Sequence, residues 1–265
     1  MPSLLLLGDW PDGMWYAIGA AAAFAAVVHG AIGFGFPLLS TPLVALITDV
    51  RTAVLTTLVP NLVLNLISIV RGAGAAATLR RHWPVAAYVL LGAVAGTRVL
   101  AMADARALKL LLAAMIVSYL LLSGPRGVDW SRLQRFPRLA PLVFGCLGGF
   151  FSGAVNVAVP PLLIYFSALQ MAPLAMTQAL NLSFFVGRSA QAASLLTSGQ
   201  LSSALLVLSL PLTLISVLAL VAGFRIQPRI RAATFARVVR TMLWAMAATL
   251  GGQAALSYLS WILPR

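Results

Sequence analysis

Asn181, Arg188 and Gln191 stand in an otherwise apolar stretch at spacings of seven and three residues, which puts them roughly on one face of a helix. An arginine at the centre of a bilayer costs at least about 2.5–3.5 kcal/mol to insert. No Asp or Glu lies near Arg188 in the sequence to neutralise it. A passing anion would do so; a lipid headgroup reached by snorkelling, or backbone carbonyls, would also satisfy the guanidinium. Asn61 and Asn65 are four apart and share a face, with Pro60 beside them. Their amides suit an oxyanion, or an ordinary interhelical hydrogen bond worth about 0.6 kcal/mol. His29 has the one side chain whose unperturbed charge changes near neutral pH. It is a candidate proton carrier, or a neutral histidine bonded to a carbonyl.

Two glycine- and proline-rich breaks must position these residues. The first is "HGAIGFGFPLLSTP" at 29–42 and the second "SGAVNVAVPPL" at 152–162. A backbone break in lipid is tolerated only where it faces protein, water or a ligand. Gly33 and Gly35 permit dihedrals closed to other residues, and Pro37 and Pro42 remove N–H donors. A short helix starting near Phe36 would aim free N–H groups inward and attract anions, and the segment from Asn156 would do the same from the other half. Close packing is the alternative use of such glycines. Ser152, Asn156, Gly33, Gly35 and Phe36 therefore join the candidate site.

Composition fits this frame. The chain has 265 residues, 61% hydrophobic and 9% charged, with Lys109 its only lysine and Cys146 its only cysteine. That is the class of integral membrane proteins. The net charge of +13 falls in short gaps between apolar runs, where basic residues hold loops in the cytoplasm, so no nucleic-acid partner is expected. No nucleophile–base set, phosphate loop or metal motif is present, so neither an enzyme nor a cofactor is expected. The start "MPSLLLLGDWPDG" has no basic n-region and does not read as a cleaved signal peptide.

The uncharged runs predict helices at about 14–32, 36–48, 52–70, 83–100, 107–123, 140–155, 158–168, 174–196, 201–224 and 235–254. The stretch 52–70 reads as one clean span, His82 as part of a basic loop and interfacial with Trp83, and the tail "LSYLSWILPR" as an amphipathic segment at the interface. Setting His29 over Ser152, a shift of 123 residues, aligns Gly30 with Gly153, Gly33 with Asn156 and Pro37 with Pro160; a rival register sets Pro42 over Pro160. The expected fold is an all-α integral membrane domain of two inverted repeats. Each repeat is a broken pair followed by three spans, covering 1–123 and 139–265 about a basic linker at 124–138. Basic loops near 71–81, 126–138 and 225–240 go inside, and the N-terminus and 197–200 outside. The loop with Arg98, Arg106 and Lys109 then falls outside, against the positive-inside rule.

"GAIGFGFPLLSTPLVALITDVRTAVLTTLVPNLVLNLISIVRG" and "GGFFSGAVNVAVPPLLIYFSALQM" resemble the two signatures of the TauE/SafE sulfite exporter family, including Pro42 and Tyr165. The resemblance covers almost the whole chain. It implies a transporter of small sulfur anions, sulfite or sulfonates such as sulfoacetate, mostly outward across the bacterial inner membrane. Asn156, Ala158 and Val159 stand where the family usually has glycine, which bears on the substrate. The expected partners are that anion and membrane lipid, with room for a homodimer. An anion channel and a non-transporting assembly partner are the alternatives.

Overall fold

The structure is a computed structural model that describes residues 11–72, 74–122, 130–201, 203–229 and 232–262. Eleven α-helices run through the described residues: α1 (Asp12–Ile32), α2 (Phe36–Ile47), α3 (Val50–Thr56), α4 (Leu58–Arg71), α5 (Ala75–Met102), α6 (Ala105–Leu122), α7 (Leu139–Val155), α8 (Val159–Ala168), α9 (Pro173–Thr197), α10 (Ser203–Ile226) and α11 (Ala232–Ile262). Gly13–Ile32, Arg80–Met102, Ala105–Leu122 and Leu205–Ile226 are long and apolar enough to cross a bilayer, and α3 with α4 makes a bent fifth. The chain is thus an all-helical, multi-pass membrane protein, and exposed Leu, Val and Trp side chains such as Leu91, Leu218 and Trp244 form its lipid-facing surface.

Both expected breaks are present. α1 ends at Gly33 (φ 89°), α2 starts after Gly35 (φ 104°), and α7 ends at Asn156 (φ 62°). Gly33 and Asn156, 123 residues apart, thus adopt the same left-handed backbone, which favours glycine and tolerates asparagine.

Three expectations need correction. The stretch 52–70 is not one straight span: α3 and α4 meet at Thr57 with a bend of 48°. Pro60 has no N–H for the Thr56 carbonyl and its ring crowds that oxygen, which breaks the helix there. His82 lies within α5 rather than in a loop, at a kink (φ −117°, ψ 19°) two residues before Pro84, with its ring edge-on to Phe166 at 5.9 Å. The last helix runs on to Ile262 instead of stopping near 254. In the linker a 3-10 turn covers Ser131–Arg135; residues 1–10, 123–129 and 263–265 lie outside the described residues.

Small residues set how the halves meet. A Cβ on Gly30 would overlap the Leu220 carbonyl, and one on Gly153 the Ala93 carbonyl. A Cβ on Gly223 would overlap the Val27 carbonyl, and one on Gly96 the Phe150 carbonyl. α1 therefore touches α10 backbone to backbone as α7 touches α5. The partners match at fixed offsets: 123 residues from Val27 and Gly30 to Phe150 and Gly153, and 127 from Ala93 and Gly96 to Leu220 and Gly223.

Contacts also sort the loops into two ends. At one, Arg71 lies 3.8 Å over the Phe224 ring, and Arg81 shares a cavity with Leu133, Gln134 and Pro137. The described parts of the three basic loops thus gather together. At the other end Arg51 donates to the carbonyls of Leu100, Ala101 and Ala103, closing the C-terminus of α5. Lys109 bonds Gln253 at 3.1 Å. Some of the cations that break the expected charge bias are therefore held by protein oxygens.

Candidate functional site

α9 carries the polar row. Its N-terminal part starts at Pro173, and Asn181, Arg188 and Gln191 are all buried, whereas Ser189 is exposed. Arg188 is 1% exposed and donates to Gln191 Oε1 and to the Ser152 carbonyl. Gln191 Nε2 donates to the Gly153 carbonyl at 2.6 Å. Together they cap the last turn of α7, where free carbonyls and the helix dipole favour a cation. Both partners of the guanidinium are neutral. Of the acids whose side chains are described, Asp49 caps α3 and Asp104 lies 3.9 Å from Arg106; neither meets Arg188. Among the described residues its buried charge meets no counter-charge, the costly condition for an ion in a low-dielectric interior.

The first break is closed by His29. The Phe36 N–H donates to His29 Nδ1 at 3.3 Å, and His29 Nε2 lies 2.9 Å from Ser68 Oγ. Because Nδ1 accepts, the ring proton sits on Nε2, and the buried imidazole is neutral with both nitrogens engaged. The Leu38 N–H bonds the Gly35 carbonyl, and Pro37 has none. The expected row of free N–H groups at the start of α2 is therefore absent: one is taken, one missing, one turned back. α8 likewise opens on Val159, Pro160 and Pro161, so two of its first three residues lack a donor. What these starts retain is the dipole, with few donors to go with it.

The second break is closed by Asn156, which reaches across to the first half. Its Nδ2 donates to Thr41 Oγ1 at 2.7 Å and Thr57 Oγ1 at 3.3 Å, and its Oδ1 accepts from Asn61 Nδ2 at 2.9 Å. Asn65 Nδ2 donates to the Asn61 carbonyl at 2.8 Å and to Asn61 Oδ1 at 2.7 Å. Asn181 Nδ2 donates to the Gly33 carbonyl at 2.8 Å. Each break is thus tied to a polar residue on a helix of the opposite half: Asn156 to Asn61 on α4, Gly33 to Asn181 on α9.

The structure brings the expected residues into two neighbouring groups. Arg188, Gln191, Ser152 and Asn156 meet with Asn61 and Asn65 at the second break; His29, Gly33, Phe36 and Asn181 meet at the first, next to Gly35. Sequence reasoning missed Thr41, Thr57, Ser68 and Gln178, all buried. Helical spacing carried a signal for two of them. Ser68 follows Asn65 by three residues, and Gln178 precedes Asn181 by three, so both extend rows already noticed. Gln178 Nε2 donates to the Ser68 carbonyl at 3.2 Å.

A cavity of about 760 Å³ opens at the end where the basic loops gather, lined among others by Arg81, His82, Gln134 and Tyr165. It is lined by the last turn of α8, at Tyr165 and Ala168, and by the turn after it, at the opposite end of that helix from the second break.

A family model described as sulfite exporter TauE/SafE matches residues 18–250. No curated protein and no solved structure matches the chain. The match spans both breaks, both polar rows and the glycine contacts between the halves, so the chain belongs to the TauE/SafE family of membrane transporters of sulfur anions, which are not enzymes.

Proposed function

We propose that the protein is a secondary transporter that exports sulfite or organosulfonates such as sulfoacetate across the bacterial inner membrane. The observation that carries this reading is Arg188, a buried guanidinium with neutral partners only. A doubly or singly charged sulfur oxyanion offers the missing counter-charge in a geometry a guanidinium matches. Residues 1–123 and 139–265 act as two inverted repeats about the linker 124–138, with the N-terminus outside and the linker in the cytoplasm. The matched left-handed residues Gly33 and Asn156, and the fixed offsets of the glycine contacts, support the repeat. The gathering of basic loops at one end supports the orientation.

In the closed arrangement the amide N–H groups of Asn61, Asn65, Asn156, Asn181 and Gln191 bond protein oxygens. Rocking one half against the other parts Asn61 from Asn156, turns those donors toward substrate oxygens beside Arg188, and admits the anion along the cavity at α8.

Flux of labelled sulfite and sulfoacetate in proteoliposomes tests the reading. Arg188→Gln lowers flux on the order of 100-fold, the effect of roughly 2.7 kcal/mol on a barrier, and Arg188→Lys keeps part of it because the charge remains. Full flux in a folded Arg188→Gln protein removes Arg188 from the mechanism.

A further inference from the structure

The cavity at the basic end is walled by groups that favour an anion. The first turns of α7 and α9 reach it through Ala140 and Ala175, and both helices present their positive dipole ends there. No side chain caps either start. In α9, Pro173 has no N–H, and the Ala175 N–H has no acceptor within the helix. Arg81 adds a full positive charge from α5, and no Asp or Glu stands in the described wall. The helix end of opposite sign, that of α8, is partly satisfied: the Ala168 carbonyl accepts from Gln134 Nε2 at 2.6 Å.

A buried hydroxyl points to a ligand independently of the helix ends. Tyr165 is only 8% exposed and lines the cavity. Its ring packs edge-on to Phe166, and its hydroxyl has no hydrogen-bond partner among the described residues. A tyrosine buried to this degree ordinarily finds a partner for its O–H, and the space beside it is the cavity.

Size and wall chemistry narrow the class of ligand. At about 760 Å³ the cavity falls within the range of roughly 300–1,000 Å³ typical of sites for organic ligands. A bare oxyanion would fill a small part of it. Leu133, Leu169 and Met171 give it apolar walls beside its polar groups. We propose that the cavity is a loading site for organic sulfonates, with the sulfonate on Arg81, Tyr165 and the start of α9 and the organic body against Leu133, Leu169 and Met171.

The site lies at the end of α8 opposite the second break and is therefore separate from Arg188. Bare sulfite has nothing to lay on the apolar walls, so the cavity favours organic cargo. Its role in loading rests on the anion-transport reading; its occupancy by a sulfonate does not.

The test is equilibrium binding of radiolabelled benzenesulfonate to the full chain in dodecyl maltoside. The wild type binds it, and sulfite competes at least about 10-fold more weakly. Arg81→Gln and Tyr165→Phe each weaken binding on the order of 10-fold. Both keep the Tm of the wild type, since Arg81 is exposed and the second change removes one unpaired hydroxyl. Arg188→Gln retains the binding, which separates this site from the one at the break. Unchanged affinity in both cavity variants overturns the proposal. So does displacement of benzenesulfonate by phosphatidylglycerol added to the micelles, which would assign the cavity to a lipid headgroup. Binding that follows the expected pattern without flux in the wild type sinks the transport reading and leaves the site standing; flux with unaltered binding in both cavity variants sinks the site alone.

Discussion

Asn156 does two separable things, and substitution can split them. Its backbone sits at φ 62° and ψ 17°, and its side chain joins α2 and the α3–α4 bend to Asn61. Asn156→Gly keeps the left-handed turn and loses only the side-chain bonds, leaving a buried amide of Asn61 unpaired at a cost of about 1–3 kcal/mol. Asn156→Ala loses the same bonds and adds roughly 1–2 kcal/mol for a left-handed β-carbon. Denaturation in detergent should therefore rank wild type above the glycine variant and the glycine variant above alanine. Equal stability of the two variants would mean the turn imposes no backbone constraint. The same contrast explains why this position takes asparagine where the first half takes Gly33: only the asparagine can hold the opposite half.

Among the elements, the bent pair α3–α4 has the clearest assignable cause. Pro60 leaves the Thr56 carbonyl without its helical donor, and the resulting 48° turn aims Asn61 at Asn156. Pro60→Ala restores the donor and favours a straighter helix, since proline disfavours a helix interior by about 3 kcal/mol. The expected result is a protein at least as thermally stable in its α-helical content but with transport reduced several-fold, because Asn61 is drawn away from the second break. Stability and flux measured on the same preparation check this; unchanged flux would show that the bend is incidental to transport.

For the whole molecule, the two ends differ in charge and so predict orientation. Basic loops gather around Arg71, Arg81 and Gln134, while Asp49, Arg51 and residues 197–200 belong to the opposite end. After replacement of Cys146, the variants Gln134→Cys and Ser198→Cys should label from opposite faces of a sealed vesicle with a membrane-impermeant thiol reagent, Gln134→Cys from the cytoplasmic face. Labelling of both from one face would contradict the orientation. The cations Arg51 and Lys109 at the other end do not weigh against it as free loop charges would, because carbonyls at the end of α5 and Gln253 hold them.

Much of this was written locally. Apolar run length, glycine and proline at 29–42 and 152–162, and the seven-and-three spacing of Asn181, Arg188 and Gln191 determine the helices, the two breaks and the polar face of α9, because each depends on neighbours a few residues away. Pro60 carried the α3–α4 bend in its ring, yet an uninterrupted apolar run concealed it. Partners were a different matter. That His29 would meet Ser68, that Arg188 would close the last turn of α7, and that Gln178 and Asn181 would reach the Ser68 and Gly33 carbonyls follow from segments 36 to 148 residues apart meeting in space. Hydrogen-bond satisfaction is a property of the packed interior, where water cannot complete a missing bond, and only the tertiary structure could decide which groups were left unpaired.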